Sequence, residues 1–310
     1  MSAIGFDTSN YTASVAWTDG VSDKNVRRLL FVKQGERGIR QSDGVFQHMK
    51  LVPQIYKLLL DEIDIGGVKA VGVSTRPRNI EGSYMPVFLA GEGYAEVVSR
   101  TLGIPLYKFS HQDGHIMAGI ASCGGYELLD GDFISVHLSG GTTEILKSRY
   151  GDCNFINEII GGTRDISAGQ LIDRVGVKMG LQFPAGVSLE KLASAADKAE
   201  KLPVSTDGSY MNFSGAETKA MRMAEEADSK GLALGVLENV RDTLVKTINS
   251  AVKETGIRRI LIAGGVASNS IIRAGLTAEL DGDVYFAKKE YASDNAVGIA
   301  YLARLAHKEA

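Results

Sequence analysis

The sequence predicts an α/β protein made of two similar lobes, and three observations carry that prediction. Residues 3–17 read as strand, polar turn and strand around Asp7-Thr8-Ser9-Asn10. Residues 133–146 read the same way around Ser139-Gly140-Gly141-Thr142-Thr143, as though one unit were used twice. At 310 residues the chain is also long enough to bury two cores.

Apolar strands and helical stretches follow each copy of the unit. In the first lobe they span residues 54–63, 68–74 and 84–102; in the second, 171–179, 233–254 and 259–263. A hinge is expected near Ile104-Pro105-Leu106. This divides the chain into residues 1–105, completed by a C-terminal helix at about 292–310, and residues 106–291, which hold most of the chemical motifs. A cleft between such lobes is a common place for a nucleotide or small molecule.

Composition narrows the class. With 44% hydrophobic and 23% charged residues, the chain is an ordinary folded protein rather than a disordered one. Thirty-six glycines against six prolines point to tight turns and to backbone lying close to a ligand. No apolar run is long enough to cross a bilayer, and the start Met1-Ser2-Ala3-Ile4-Gly5 lacks the basic and apolar regions of a signal peptide. The expected address is cytoplasmic, with no membrane partner. Cys123 and Cys153 are not spaced as a metal pair and read as plain thiols. A net charge of −3 argues against strong autonomous nucleic-acid binding. Lys24, Arg27, Arg28, Lys33, Arg37 and Arg40, with only Asp23 and Glu36 among them, form either a local anion-binding patch or a solvated basic face.

The most informative chemistry lies in Ser110-His111-Gln112-Asp113-Gly114-His115. On a helix, residues four apart share a face, so both imidazoles can address one metal ion; two solvated histidines are the alternative. Ser139-Gly140-Gly141-Thr142-Thr143 offers unobstructed backbone N–H groups and three hydroxyls, which suits phosphate oxygens as well as it suits a plain hairpin turn. Residues 161–175 read as a loop entering a helix. If that helix starts early, Asp165 and Asp173 approach one face, where Asp173 either meets ribose hydroxyls or pairs with Arg174 or Lys178. In Gly264-Gly265-Val266-Ala267-Ser268-Asn269, glycines end a strand before a helix, and Asn269 is placed to bond a nucleoside, to cap the helix, or both. A last helix is expected to start within Ala292-Ser293-Asp294-Asn295-Ala296, with Ser293 as its cap and Asp294 projecting outward.

Taken in order, His-x-x-Gly-His, Ser-Gly-Gly-x-Thr, Asp-x-x-x-Gly with Asp173 following, Phe213-Ser214-Gly215-x-x-Thr218, Gly-Gly-Val-Ala-x-Asn and Ser-Asp-Asn-Ala resemble the tRNA N6-adenosine threonylcarbamoyltransferases, a family formerly described as O-sialoglycoprotein endopeptidases. The resemblance is good over the C-terminal two-thirds and poor over the first hundred residues. It implies an actin-like ATPase fold, that of sugar kinases, Hsp70 and actin, with two duplicated ribonuclease-H-like lobes around a cleft. It further implies one divalent metal on His111, His115 and Asp294, with iron(II) favoured and zinc or magnesium as alternatives. Ser139, Gly140, Gly141, Thr142 and Thr143 would then lie near the phosphate or acyl group of an adenylate or ATP-type nucleotide, with Asp173, Gly186 and Asn269 holding the nucleoside. The implied reaction moves threonylcarbamoyl from its adenylate to N6 of a tRNA adenosine next to the anticodon, and the implied protein partners are a related actin-fold subunit and an ATPase.

The chain departs from the family in four places. The Cys-Asp-Glu that usually follows Thr-Ser is Asn10-Tyr11-Thr12, so no catalytic acid is assigned; a Gly-Pro-Gly-rich loop after the third strand is replaced by Thr75-Arg76-Pro77-Arg78-Asn79-Ile80-Glu81-Gly82. Thr142 stands for a histidine, and Ala185 for the first glycine of Pro-Gly-Gly. These changes read as a divergent paralogue, leaving two alternatives beside the tRNA transferase: a carbamoyl-type transferase for a small molecule, with Arg76 and Arg78 as anion forks, and a silent nucleotide-binding regulatory subunit. A protease is disfavoured, because the chain has no His-Glu-x-x-His helix and Asp113 is a poor base.

Overall fold

β-Branched and aromatic residues alternate with small ones at the start of the chain, and they form strands as expected. The computed structural model describes every residue except Asn10, residues 33–38, Ser293 and Asp294. The chain folds as two units: residues 1–126, 150–156 and 293–310, and residues 127–149 and 157–292.

In the first unit, β1 (Ser2–Thr8), β2 (Thr12–Thr18) and β3 (Asp23–Leu29) form an antiparallel meander. Helix α1 (Gln41–Leu60) follows, then β4 (Val68–Arg76), α2 (Phe88–Leu102), β5 (Leu106–Ser110) and α3 (His111–Cys123). The sheet order is β3-β2-β1-β4-β5, with β1, β4 and β5 parallel. Its core joins Ile4, Phe6, Val15, Val71 and Val73 to Val52, Ile55 and Leu59 of α1. Helix α1 starts well before residue 54 because His48, Val52, Ile55 and Leu59 continue one buried stripe past Pro53. The expected hinge at residues 104–106 instead leads into β5, whose pairing with β4 holds β5 and α3 in this unit.

The second unit repeats the arrangement. Its strands are β6 (Phe133–Leu138), β7 (Thr143–Gly151) and β8 (Asn154–Thr163); the tip of the β7–β8 hairpin, residues 150–156, groups with the first unit. Helices α4 (Ala168–Lys178) and α5 (Gly186–Ala193) precede the short strands β9 (Ser205–Asp207) and β10 (Tyr210–Asn212). Then come α6 (Ser214–Met223), α7 (Ser229–Thr255), β11 (Arg259–Ala263), α8 (Ser270–Glu279) and β12 (Asp283–Phe286), with α9 (Val297–Glu309) returning to the first unit. The sheet runs β12-β11-β6-β7-β8-β10-β9; β6 and β7 are antiparallel, while β6, β11 and β12 are parallel. The order β8-β7-β6-β11-β12 thus reproduces β3-β2-β1-β4-β5, the duplication expected from the two strand–turn–strand segments. Its core packs Ile134, Val136 and Ile262 against Leu237, Val240 and Leu244 of α7.

Helix α9 packs on α3, β1 and β4. The approach to α3 is made by glycines: a Cβ added at Gly298 would lie 1.9 Å from the Gly114 carbonyl oxygen. Among the described residues no helix is long and apolar enough to cross a membrane.

Candidate functional site

In the first unit, the end of β5 becomes the start of α3 through a capping box. Ser110 Oγ accepts the Asp113 N–H at 3.1 Å, and the Asp113 carboxylate accepts the Ser110 N–H at 2.9 Å. This makes His111 the first helical residue and puts His115 one turn later on the same face. Their Nε2 atoms lie 2.9 Å apart, with the rings edge to face at 76°. Behind them, His111 Nδ1 is 2.7 Å from Oδ2 of Asp7, a β1 carboxylate only 1% exposed.

Asp113, which reads as a poor base, is fully buried and committed. Besides the cap it accepts both contacts from Asn79 Nδ2, at 2.7 and 2.8 Å, while Asn79 Oδ1 accepts from Arg76 Nε and Nη2. Burial pushes the Asp113 carboxyl above its ordinary value, against the pull of these hydrogen bonds. Arg76 also bonds Thr75 Oγ1, so its guanidinium supports α3 instead of standing as an open anion fork. On α1, fully buried His48 bonds the Ser9 carbonyl through Nε2 at 2.8 Å, and burial pushes its imidazole below the ordinary range.

Two neutral imidazoles with converging nitrogens fit a divalent cation. Ligand bonds of about 2.0–2.1 Å at right angles bring two nitrogens to roughly this separation. Among the described residues no set of three or more metal-ligating side chains converges, and Asp294, the third ligand implied by the resemblance, lies outside them. Ser293, expected to cap the last helix, lies outside them too. That helix begins only at Val297, whose N–H is accepted by Asn295 Oδ1.

In the second unit, Ser139 to Thr142 close the β6–β7 hairpin. The Ser139 N–H donates to the Thr142 carbonyl at 2.8 Å, and Ser139 Oγ accepts the Thr142 N–H at 3.0 Å. The turn is seated on the start of α4: Ser167 Oγ donates to the Gly140 carbonyl, and Thr143 Oγ1 accepts the Ala168 N–H. A Cβ at Gly140 or Gly141 would meet nothing, so their outer face is open backbone. A Cβ at Gly169 would stand 2.5 Å from the Ser139 oxygen and Gly140 Cα, so the turn touches the helix backbone directly.

Asp165 and Asp173 do not share a helix face. Helix α4 starts at Ala168, because Ser167 and Gln170 form a capping box. Asp165 stays in the preceding loop and accepts backbone N–H groups from Ile166, Phe213 and Ser214. Burial raises its carboxyl, but the bonds from Ser214, Phe213 and Ile166 outweigh that and hold it below the ordinary value. Asp173 makes neither expected ion pair: Arg174 bonds Glu217 and Lys178 bonds Glu225. Its Oδ1 accepts the Ala185 N–H at 2.8 Å, immediately before Gly186 begins α5. Glu190 of α5 accepts from Ser270 at the start of α8, which Asn269 caps by accepting the Ile271 and Ile272 N–H groups. Asp173, Gly186 and Asn269 thus lie along one line of hydrogen-bonded elements.

Asp7, His48 and Asn79 carry no motif that singles them out in the sequence. Asp7 reads as the start of a polar turn, but β1 runs on through Thr8 and carries it as a buried strand residue. Neither Cys123 nor Cys153 is in a disulfide; both read as plain thiols, and their sulfurs meet the Ile120 carbonyl and the Glu309 carboxylate.

Fold and site define a class: a duplicated α/β protein of the actin-like ATPase fold, with a histidine pair in one unit and a glycine-rich turn on a helix start in the other. A ROK family glucokinase from Streptomyces griseus, solved with glucose and AMPPNP, shares that fold at a TM-score of 0.55 and 14% identity, covering 98% of this chain and 100% of the kinase. T. kodakarensis HypF does so at 0.62 and 14% identity, over 99% of this chain and 48% of its own. Residues 33–301 match the family model of the tRNA N6-adenosine threonylcarbamoyltransferases. A protein of that name from Christiangramia forsetii is 32% identical over 269 residues, 81% of this chain and 76% of its own length. The chain belongs to the tRNA N6-adenosine threonylcarbamoyltransferase family.

Proposed function

We propose that the protein transfers threonylcarbamoyl from threonylcarbamoyl-adenylate to N6 of a tRNA adenosine next to the anticodon, using a divalent cation on His111, His115 and Asp294. The observation that carries this reading is the 2.9 Å convergence of two imidazole Nε2 atoms in a member of this family. Two neutral imidazoles and a carboxylate suit iron(II) and accept zinc. When bound, the cation supplies Lewis-acid polarisation and orientation of the acyl group. The chain's own residues do the rest by positioning. Open backbone at Gly140 and Gly141, with the hydroxyls of Ser139 and Thr142, receives the phosphate or acyl oxygens, whereas Thr143, 1% exposed, seats the turn on α4 by accepting the Ala168 N–H. Asp173 keeps one carboxylate oxygen for ribose hydroxyls, Gly186 lets the nucleoside approach the backbone, and Asn269 keeps its amide nitrogen for the base or ribose. The N6 amine attacks the threonylcarbamoyl carbonyl carbon; the C–N bond forms as the C–O bond to the AMP phosphate breaks, AMP leaves, and the amine's proton passes to solvent, with no covalent enzyme intermediate. A related actin-fold subunit and an ATPase are the proposed protein partners.

The test is incubation of the purified protein, with those partners supplied, with threonylcarbamoyl-adenylate and unmodified tRNA, followed by nucleoside mass spectrometry. Modified adenosine is expected; its absence overturns the tRNA assignment. Asn10-Tyr11-Thr12 in place of the family's acids favours a second reading, a silent nucleotide-binding subunit, which turnover by the isolated chain would exclude.

A further inference from the structure

Asp7 is a costly residue to keep in β1. It is 1% exposed, between Phe6 and Thr8, where a carboxylate gives up its hydration and needs a partner to compensate. Its place is enforced from the neighbouring residue: Thr8 Oγ1 donates to the Val87 carbonyl and accepts the Gly91 N–H, pinning the strand end onto α2. One carboxylate oxygen meets His111 Nδ1 at 2.7 Å. The other is buried with no hydrogen-bond partner among the described residues, so the imidazole of His111 holds the one hydrogen bond the carboxylate makes there, while the more distant His48 feels its charge without bonding it.

A carboxylate only accepts hydrogen bonds, so Nδ1 of His111 carries the proton and Nε2 is left with a lone pair. That lone pair is on the side where Nε2 of His115 stands 2.9 Å away. We propose that Asp7 is the positioning residue of the histidine pair: it holds His111 in the Nδ1–H tautomer, so that Nε2 of His111 and Nε2 of His115 face one divalent cation together. The inference rests on the metal reading above. It assigns to Asp7 the role that a carboxylate behind a ligating histidine plays generally, which is to fix ring orientation and raise ligand basicity.

The experiment uses the full chain and Co2+ as probe. Nitrogen-15 imidazole spectra of the metal-free wild type, recorded above the ordinary imidazole titration range and assigned by a His111→Ala difference, are expected to show His111 protonated at Nδ1. An Nε2–H tautomer overturns the proposal without recourse to any variant. Asp7→Asn, which removes the charge and offers an amide donor to Nδ1, is expected to weaken Co2+ binding by about 10–100-fold and to populate the Nε2–H form. Asp7→Glu is expected to recover part of the affinity. Wild-type Co2+ affinity in a folded Asp7→Asn protein overturns the role of Asp7 alone. Wild-type affinity in His111→Ala overturns the metal reading itself, and with it the cation that Asp7 is proposed to serve.

Discussion

Gly298 of α9 lies so close to Gly114 of α3 that a methyl group on it would stand 1.9 Å from the Gly114 carbonyl oxygen and 2.7 Å from the Ala118 nitrogen. Gly114 is the residue before His115, so the helix that carries the histidine pair takes its seat from this contact. Gly298→Ala must push two helix backbones apart, and backbone cannot yield as a side-chain tip does. The expected cost is at least about 2 kcal/mol in urea denaturation, with reduced metal occupancy in the folded fraction. Unchanged stability would show that the helices do not meet here.

Gly169→Ala tests the glycine-rich turn. The new methyl would displace Ser139 and Gly140, 2.5 Å away, two of the groups proposed to receive the phosphate or acyl oxygens. Calorimetric titration with an ATP analogue is expected to show at least about a tenfold loss of affinity, with the far-ultraviolet circular dichroism unchanged. Wild-type affinity would remove the turn from the nucleotide site.

His48 predicts acid sensitivity. Burial lowers its imidazole below 6.5, so the folded protein takes up this proton less readily than the unfolded chain. The stability that His48 contributes is complete above 6.5 and is lost as pH falls from there through the lowered folded value. His48→Gln keeps a donor for the Ser9 carbonyl and has no proton to gain. Urea midpoints of this variant are therefore expected to fall less over that window than those of wild type; parallel curves would sink the idea.

Asp165 predicts a second, more acidic limb. Its folded carboxyl sits below the ordinary 3.8, so its contribution is present above 3.8 and disappears as pH falls through the lowered value. Asp165→Asn should be the less stable protein near neutrality, and the difference should close in strong acid. A constant difference would mean that the lost stability is not electrostatic.

Legibility in the sequence followed distance along the chain. The strand–turn–strand units, the cap at Asn269 and the four-residue histidine spacing are local patterns, and the structure keeps all three. The start of α4 was local too, yet Asp165 offered a competing early start that the Ser167–Gln170 capping box wins. What stayed hidden was long-range. Asp7 and His111 are 104 residues apart, and Asn79 reaches Asp113 over 34, so no periodicity announces either pair. Arg76 looked like an anion fork because its consumer, Asn79, is an ordinary loop residue until the loop folds back on α3.

The bonds of Asp165 also have a consequence for how this chain can vary. One carboxylate receives the N–H groups of Phe213 and Ser214, 48 and 49 residues further on, as well as that of Ile166 beside it. The loop ahead of α4 and the Phe-Ser-Gly entrance to α6 are thus two stretches of sequence but one mechanical part. Drift in either is constrained by the other, and a graft that transplants one without its counterpart should fail where a graft of both succeeds.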